Sequence, residues 1–419
     1  MTDACTVRNN TNAAHFLTEL DIYAKRFQDL APELELTLRD PEMGVEGYVV
    51  VWNTGISAGG PLEFSGKGGT RITPTLTLDE VKMLARTMAL KNAAAGLPMG
   101  GAKSGLRADP NAPGFEKLYR RFVRLCAPTL RENNGPYGGF GFDIGGQPEH
   151  ALWATDELKS ERCFTGKPVD RGGTDYDREG IAGLGVATSA VAALAFQGRD
   201  PAAVTFAVQG IGAMGAAVIR YFTAHGARLS GIGDPRLNGS WVFNTQPDAT
   251  LMAALSSSDV PTILATLGHY AQQVSLDAND ILLADTDILF PCAVHNVIRP
   301  DNMAQVKAGM IVEGANGPTH ADCYAPLAAR GILVIPDFIA NAGGIIAAYV
   351  ELTSPISTAE NARFRTKVEE AKKTTIAKIT ENVTAILVQT TDLGVTPREA
   401  GLHLAYRRIF NEEGRGEVV

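Results

Sequence analysis

Three lysines and one aspartate in the first third of the chain stand in surroundings that suit proton transfer. Lys67 lies in the glycine-rich segment 66–71, and Lys103 lies in another such segment, 100–105. Lys91 extends the inward stripe of an amphipathic stretch, and Asp143 lies in a third run of glycines. Most lysines are solvated at a surface and many aspartates occupy turns. Glycines on both sides of a charged residue, however, indicate backbone that must pass close to a ligand.

The surroundings of Lys103 predict an amine that acts as a base. A lysine in a crowded, partly dry pocket near other cations loses its proton readily, because burial and like charge both disfavour the ammonium. Lowering its pKa from ~10.4 to ~7–8 takes about 4 kcal/mol of differential destabilisation. Asp143, in a cleft beside such a lysine, would carry a proton to and from a substrate amine.

A glycine loop later in the chain predicts dinucleotide binding. A predicted strand, 204–208, leads into Gly210-Ile-Gly212-Ala213-Met214-Gly215 and then into a predicted helix. The glycines of this G-x-G-x-x-G pattern permit a tight turn, close approach of a pyrophosphate and close helix–strand packing. The phosphates would lie at the N-terminus of the helix.

The choice between NAD and NADP stays open at this stage. Asp234 follows the last glycine by about 20 residues, where a carboxylate bonds the hydroxyls of the adenosine ribose. A carboxylate favours NAD because it repels a 2′-phosphate, whereas Arg236, two residues later, would favour NADP; on balance NAD is slightly favoured.

The elements that position these residues predict an α/β fold with two domains. Short apolar runs alternate with helical stretches after residue 200, which indicates a parallel, doubly wound sheet. The strands predicted there are residues 204–208, 229–232, 287–290, 310–312 and 332–335. The first third is mixed α and β, with a predicted strand at residues 48–52.

Two helices are predicted in the first third. Thr77 and Glu80 form a capping-box pattern, and the helix after it would turn three residues, Val81, Leu84 and Met88, inward. The other helix would cover residues 115–130, with the inward positions Leu118, Phe122 and Leu125.

Composition excludes several classes of protein. Apolar residues make up 45% of the 419 residues and charged residues 20%, which is ordinary for a globular protein. A net charge of −8 without a dense basic run argues against nucleic acid. Five scattered cysteines fit neither a disulfide framework nor a zinc site, and no stretch approaches the ~20 apolar residues of a membrane span. With no signal-peptide pattern at the N-terminus, these features predict a cytoplasmic protein without a metal site.

Over roughly residues 45 to 350 the sequence resembles the glutamate/leucine/phenylalanine/valine dehydrogenase family. The resemblance keeps both residue type and spacing. Besides the glycine loop, it rests on the Lys-Gly-Gly-x-Arg motif at 67–71, the run from Lys91 to Lys103, Thr165–Pro168, Pro291–Ala293 with Asn296, Glu313–Pro318, and Pro336–Asp337 followed by Asn341–Gly344.

The resemblance implies the oxidative deamination of an L-amino acid to a 2-oxo acid with an NAD or NADP cofactor, and a homo-oligomer, often a hexamer. Lys103 would be the base that activates water and Asp143 would move protons on the amine, while Lys91 would hold the α-carboxylate. The remaining substrate-binding positions would be Lys67, Gly68, Asn341, Ile345 and Ala348. The cofactor-binding positions would be Gly210, Gly212, Ala213, Met214, Gly215, Asp234, Pro235, Arg236, Ala293 and Asn316.

Two positions disagree about the substrate. Glutamate-type members of the family carry a lysine at the position of Lys67, but they carry a serine where this chain has Ala348. A missing hydroxyl costs about 1 kcal/mol, whereas a buried lysine charge without a partner costs ~3–5 kcal/mol. The balance favours L-glutamate, with an apolar amino acid (leucine, valine, phenylalanine or tryptophan) as the alternative. Glu63 would weaken this inference if it neutralised Lys67.

The expected organisation is a substrate-binding and oligomerisation domain at residues 1–180, completed by C-terminal helices at about 375–419. A Rossmann domain at 181–374 would bind the dinucleotide. One family position differs, because Ala182 stands where the family usually has a threonine that contacts the nicotinamide carboxamide. A non-catalytic nucleotide-binding regulator on the same fold is the minor alternative, although the retention of Lys91, Lys103 and Asp143 argues against it.

Overall fold

The structure is a computed structural model. It describes the backbone of residues 2–354 and 361–410 and the side chains of residues 12–354 and 366–410. The last part of the predicted C-terminal helical segment, 411–419, lies outside the described residues, as does the side chain of Cys5.

The α-helices of the described residues are α1 Thr2–Asp29, α2 Leu78–Ala94, α3 Phe115–Cys126, α4 Pro148–Leu158, α5 Tyr176–Glu179, α6 Ile181–Phe196, α7 Ala213–Thr223, α8 Ala249–Ser257, α9 Val260–Thr266, α10 Tyr324–Ala329, α11 Asp337–Ala340, α12 Gly343–Thr353, α13 Asn361–Leu393 and α14 Pro397–Ile409. The β-strands are β1 Leu34–Asp40, β2 Val45–Trp52, β3 Gly66–Lys67, β4 Thr70–Ile72, β5 Gly100–Leu106, β6 Phe140–Gly141, β7 Phe164–Thr165, β8 Thr205–Gln209, β9 Arg228–Asp234, β10 Gly239–Phe243, β11 Ala271–Ser275, β12 Ile288–Pro291, β13 Met310–Val312 and β14 Leu333–Ile335.

The chain divides into two compact units. We call one the lysine unit; it contains Leu20–Tyr176 with the described parts of Ile345–Thr374 and His403–Val419. The other, the loop unit, contains Asp177–Gly344 and Thr375–Leu402 together with the N-terminal residues to Glu19. The predicted α/β class with two domains is confirmed. The functional boundaries at residues 180 and about 375 stay a prediction, because compactness does not assign a function.

The lysine unit is built on a five-stranded sheet in the order β1-β2-β5-β3, with β4 also paired to β5. β2 is antiparallel to β5, and Lys103 lies opposite Val50 in that register. β3 and β4 both run parallel to β5. The central strand β5 therefore has the segment from β3 to β4 alongside it, which brings two of the sequence motifs together.

Two glycines of β5 let helix α2 lie directly on the strand. A Cβ atom added at Gly101 would lie 2.3 Å from the carbonyl oxygen of Ala85, and one added at Gly105 would lie 2.9 Å from the side chain of Val81. Alternate residues of a strand share a face, so Lys103, between these glycines, points to the side that α2 covers. The glycines thus serve helix packing, and this reason differs from the expected close approach to a ligand.

The buried face of α2 differs from the predicted one. Thr77 caps the helix by accepting the amide N–H of Glu80, at 3.2 Å. Val81 is buried as predicted, but Leu84 and Met88 are only half-buried. The fully buried positions after Val81 are small or amide residues, Ala85, Ala89, Asn92, Ala93 and Ala94. They form the buried face because the glycine surface of β5 admits only short side chains.

Helix α3 is shorter than the predicted 115–130. It ends at Cys126 and gives way to a 3₁₀ turn, Ala127–Thr129, since Pro128 has no N–H with which to continue the helix. Phe122 is buried as predicted, whereas Leu118 and Leu125 are only partly buried. The rest of the buried face consists of Phe115, Tyr119, Val123 and Cys126.

The loop unit contains a seven-stranded sheet in the order β11-β10-β9-β8-β12-β13-β14. The strands from β9 to β14 in this order are parallel, which confirms the predicted parallel sheet. β10 and β11 extend it with antiparallel pairing; neither strand is predicted from the sequence. Strand order reverses beside β8, and such a switch point is where open parallel sheets bind ligands.

Among the residues that the structure describes, one segment qualifies as a membrane span by length and composition alone. The segment Tyr176–Phe196 contains an 18-residue apolar window, contrary to the expectation that no stretch is long enough. That window is 72% buried inside the protein, which is the pattern of a core helix. The segment therefore gives only weak support for a membrane span.

Candidate functional site

Lys103 and Asp143 form an ion pair that is almost sealed from solvent. The Lys103 ammonium contacts Asp143 Oδ2, and the side chains are 6% and 13% exposed. Lys103 is held by the central strand β5, and Asp143 follows β6 by two residues. The structure thus brings together the two residues that the sequence nominates as catalytic.

Arg71 completes this pair, although the sequence analysis gives it no role. Its Nη2 lies 3.1 Å from Asp143 Oδ1, and its Nη1 lies 2.8 Å from Glu80 Oε1. Asp143 Oδ1 also accepts the amide N–H of Ile144 at 2.6 Å. Acidic and basic groups therefore alternate along Glu80, Arg71, Asp143 and Lys103. The signal that could have identified Arg71 is its place at the end of the Lys-Gly-Gly-x-Arg motif.

These charges act on the pKa of Lys103 in opposite directions. Burial lowers the pKa of Lys103 and is the largest effect, Asp143 opposes it, and the nearby Arg71 cation lowers it further; the net shift is downward. Burial acts to raise the pKa of Asp143, but Lys103, the Ile144 amide and Arg71 outweigh burial, so that pKa is lowered. A lysine with a lowered pKa next to an ionised carboxylate has the character of a base with a proton relay.

The side chain of Lys67 lies against the start of β6, the strand that precedes Asp143. It is 2% exposed, and its ammonium donates to the backbone carbonyls of Gly68, Gly139 and Phe140, at 3.1, 2.9 and 2.9 Å. Burial lowers the pKa of Lys67 to about 7, with Glu351 acting in the opposite direction. Three carbonyl acceptors match the three N–H groups of an ammonium. Glu63 is exposed and has no ion pair with Lys67.

Helix α2 carries Lys91 and ties the neighbouring strands together. Lys91 is half-buried in the last turn of the helix. A Cβ added at Gly68 would lie 3.1 Å from Met88 Cγ, and Lys91, one turn after Met88, shares that face of the helix. The Asn92 amide donates to the carbonyls of Lys67 and Gly100, at 3.1 and 2.7 Å. Gly68 and Lys91 therefore share one side of α2.

Helix α12 presents Ile345 and Ala348 and is anchored by a buried ion pair. Ile345 is half-buried and Ala348 is 3% exposed. Glu351 lies 2.6 Å from Lys167 Nζ, and its Oε2 also accepts the amide N–H groups of Gly166 and Thr174 at 3.0 Å. A buried carboxylate with this many partners fixes the helix to the segment 166–174.

In the loop unit the glycine motif follows β8 and opens helix α7. Gly210 has φ +84°, which favours glycine, and a Cβ there would lie 2.6 Å from the Ala293 Cβ. Gly215 packs so closely that a Cβ would lie 1.9 Å from the Gly210 carbonyl oxygen, whereas a Cβ at Gly212 would meet only open space. Gly212, Ala213 and Ala293 are exposed and Met214 is half-buried.

This loop fits a dinucleotide phosphate. Open space above Gly212 leaves the first amide N–H groups of α7 accessible, and a helix N-terminus favours an anion. Asn341 supplies a second sign of a ligand, because its Oδ1 is buried without a hydrogen-bond partner. The Asn341 amide nitrogen donates to Gly314 O at 3.1 Å and to Asn316 Oδ1 at 3.0 Å. A carboxamide or ammonium group would satisfy the orphaned oxygen.

Asp234 ends β9 but is held by its own chain. Its Oδ1 accepts the N–H and Nε–H of Arg236, both at 2.9 Å. Its Oδ2 accepts the N–H of Ile211 at 2.8 Å and Arg236 Nη2–H at 2.9 Å. Pro235, between these residues, is exposed. The sequence predicts the proximity of this acid to the glycine loop, but not its pairing with Arg236.

Glu313 is a buried acid that the sequence analysis quotes but does not assign. It is fully buried and accepts Tyr324 Oη–H at 2.8 Å and the Asp337 N–H at 2.9 Å. Burial raises its pKa to about 7, with Asp337 adding to the shift. Through these bonds Glu313 ties together the first residues of α10 and α11. Among the described residues, no group of three or more His, Cys, Asp or Glu is arranged to hold a metal ion.

Comparisons with known proteins agree with this arrangement. The family model described as Glutamate/Leucine/Phenylalanine/Valine dehydrogenase matches residues 172–415, and the one described as Glu/Leu/Phe/Val dehydrogenase, dimerisation domain, matches residues 33–159. The chain is 34% identical over 382 residues to the NADP(+)-dependent glutamate dehydrogenase of Pyrobaculum calidifontis, which covers 87% of this chain and 85% of the relative. It is 32% identical to the NAD-specific glutamate dehydrogenase A of Halobacterium salinarum, with 84% and 79% covered.

A solved structure shows the same fold. The hetero-hexameric glutamate dehydrogenase of Thermus thermophilus, in a leucine-bound form, superposes with a TM-score of 0.69 over 97% of this chain and 98% of that one. Its sequence identity is 24%, so this likeness shows the fold alone.

Proposed function

The chain belongs to the glutamate/leucine/phenylalanine/valine dehydrogenase family, and from that premise we propose that it catalyses the reversible NAD(P)-dependent oxidative deamination of L-glutamate to 2-oxoglutarate and ammonia. The observation that carries the proposal is the buried ion pair of Lys103 and Asp143, with Arg71 on the far side of the carboxylate. A lysine needs such surroundings to exchange a proton near neutral pH.

We assign roles to the residues as follows. Lys91 binds the α-carboxylate, which presents the amine to Asp143. Asp143 takes a proton from the ammonium group, and after oxidation at Cα the uncharged Lys103 removes a proton from the water that attacks the imine carbon. A bound nicotinamide supplies the acceptor for the hydride that leaves Cα. The carboxyl group of Asp143 then returns its proton to the nitrogen that leaves as ammonia.

In the loop unit, Gly210, Gly212, Ala213 and Gly215 shape the phosphate cradle at the start of α7. Met214, Ala293, Asp234 and Pro235 form its surroundings. Asn341, with its orphaned oxygen, orients a polar group at the nicotinamide or substrate end, and Asn316 accepts its amide hydrogen.

Charge supports glutamate over an apolar substrate. Glu351 is paired with Lys167, and Asp143 with Lys103 and Arg71, whereas Lys67 has carbonyl partners but no carboxylate in direct contact. A second carboxylate on the substrate would complement that buried positive charge, taking the place of one of the three carbonyl acceptors of Lys67. Leucine or phenylalanine would leave it uncompensated, and the curated relatives are named glutamate dehydrogenases.

We expect Lys103→Ala to abolish amino acid turnover, because the amine is the base, while substrate and cofactor still bind. Steady-state absorbance of the reduced nicotinamide measures turnover, and calorimetry measures binding. Lys82→Ala is the matched control, since Lys82 is a partly exposed lysine of α2 that pairs with Glu35. Turnover of Lys103→Ala near the wild-type rate would remove Lys103 from the mechanism.

The pH profile tests the role of Arg71. Only uncharged Lys103 acts as a base, so kcat/KM rises with pH through the lowered pKa of Lys103 and is flat above it. Arg71→Gln removes a cation that lowers this pKa, so the rising limb moves to higher pH. Arg71→Lys keeps the cation and restores most of the profile, and the exposed Arg107→Gln leaves it unchanged. An unchanged limb in Arg71→Gln, or one moved to lower pH, contradicts the assignment.

A substrate panel tests the proposed reaction directly. Glutamate, leucine, valine, phenylalanine and tryptophan are each tried with NAD and with NADP, and we expect glutamate to have the highest kcat/KM. Lys67→Met should reduce kcat/KM for glutamate about tenfold or more relative to leucine, the size expected for one charged partner. Lys82→Met serves as its control, with thermal unfolding as a check on folding. An apolar amino acid as the best wild-type substrate would establish the alternative, and no turnover with any would favour a non-catalytic regulator.

We also propose that the protein is a cytoplasmic homo-oligomer, and a hexamer in particular. The family model over residues 33–159 is described as a dimerisation domain, and the Thermus protein of the same fold is a hetero-hexamer, which supports six subunits but not their identity. The four described cysteines are free and buried, which suits a reducing compartment. Light scattering coupled to gel filtration should give six times the chain mass of 44.4 kDa; a monomer would refute self-association.

A further inference from the structure

Resting on the proposed dinucleotide-dependent reaction, we propose that Arg236, held in place by Asp234 and Ser258, forms a subsite for the 2′-phosphate of NADP. Asp234 then anchors this subsite and is not a ligand of the ribose. The ligand class is a phosphate monoester on the adenosine 2′-oxygen. With such a subsite the protein prefers NADP, a preference that Asp234 alone would not suggest.

The carboxylate of Asp234 has no capacity left for a ribose hydroxyl. A carboxylate accepts about four hydrogen bonds, and the backbone and side chain of Arg236 supply three of them at 2.9 Å. The Ile211 amide supplies the fourth at 2.8 Å. The Asp234 side chain is also only 5% exposed. An acid that selects NAD must accept a hydrogen bond from the 2′-hydroxyl. Asp234 instead uses its acceptor positions to hold its own loop.

Arg236 is positioned by that same carboxylate. Its Nε and Nη2 form a two-pronged contact with Asp234, and such a contact fixes the plane of a guanidinium. Its Nη1 lies 3.3 Å from Ser258 Oγ, which itself donates to the Ile211 carbonyl at 2.6 Å. One N–H on each of Nη1 and Nη2 has no acceptor within the described part of the chain.

Those two N–H groups belong to a side chain that is 47% exposed. They therefore offer a fixed, charged donor pair at the end of β9, beside the glycine loop. Phosphate is the anion that such a planar donor fork binds with two parallel hydrogen bonds. Because the contact with Asp234 already orders the side chain, little conformational entropy is lost on binding.

The nearest acid to Ser258 along the chain is Asp259, and it is occupied. It caps helix α9, accepting the N–H of Thr262 at 3.4 Å and the hydroxyl of the same residue at 2.7 Å. Its charge is thus directed at a helix N-terminus, where the dipole stabilises an anion. Repulsion of a phosphate by Asp259 is reduced accordingly.

Calorimetry with two nucleotides isolates the subsite, because adenosine 2′,5′-bisphosphate and adenosine 5′-monophosphate differ only in the 2′-phosphate. We expect the wild-type protein to bind the bisphosphate about ten- to a hundredfold more tightly, the range for charge-assisted hydrogen bonds. Arg236→Ala should bring the two affinities within about threefold, and Arg236→Lys should fall between. Arg228→Ala is the matched control, since Arg228 is an exposed arginine at the opposite end of β9.

Three results would overturn the inference: equal or tighter binding of the monophosphate by the wild-type protein, discrimination that survives in Arg236→Ala, or no binding of either nucleotide. Turnover of glutamate with NADP and NAD should show the same change in preference. If the nucleotides are discriminated through Arg236 but no amino acid is oxidised, the proposed reaction fails and the subsite stands. If glutamate is oxidised without that discrimination, the subsite fails and the reaction stands.

Discussion

The lysine unit has to bury the ion pair of Lys103 and Asp143, and the rest of the candidate site depends on this constraint. Breaking a buried pair by removing one partner costs about 3–5 kcal/mol, so each residue depends on the other for its place. A base must nevertheless be free to lose its proton, and a tight single partner would hold the proton on Lys103. Arg71 relieves this conflict, because it shares the carboxylate and repels the ammonium at the same time.

The glycines of β5 have to be understood together with this pair. Gly101 allows the backbone of α2 to lie against the strand, and Gly105 leaves room for the Val81 side chain of the same helix. The helix covers the face of β5 from which Lys103 projects. Any side chain at either glycine would push the helix outward and admit water, which would raise the pKa of Lys103 toward its ordinary value. Packing density and acid–base chemistry are therefore set by the same two residues.

The sequence predicts the parts of the molecule that depend on local pattern. The apolar runs at 204–208 and 310–312 become β8 and β13 within one residue, because a strand buried on both faces needs a continuous apolar run. β10 and β11 escape prediction because neither is a continuous apolar run. The edge strand β11 carries Gln272 and Gln273 side by side, and Ala271 is its one buried residue. The inward face of α2 is partly mispredicted because it is selected by the glycines of a strand that follows it in the chain. Pairings between distant residues, such as Arg71 with Asp143, depend on folded geometry and have no local signal.

The contrast between Asp234 and Asn341 shows that a residue at a ligand-binding motif position need not itself contact the ligand. Asp234 occupies the position where dinucleotide folds place an acid, yet its acceptors are filled by Arg236 and Ile211. Asn341, by comparison, retains a buried oxygen with no partner, and an unsatisfied buried acceptor costs about 1–3 kcal/mol. A bound ligand that donates a hydrogen bond to this oxygen would remove that cost. The unpaired oxygen of Asn341 therefore indicates a contact with ligand better than the fully paired carboxylate of Asp234 does. Residue type locates these two groups along the chain, but only their hydrogen-bond partners distinguish an anchor of the loop from a residue that contacts ligand.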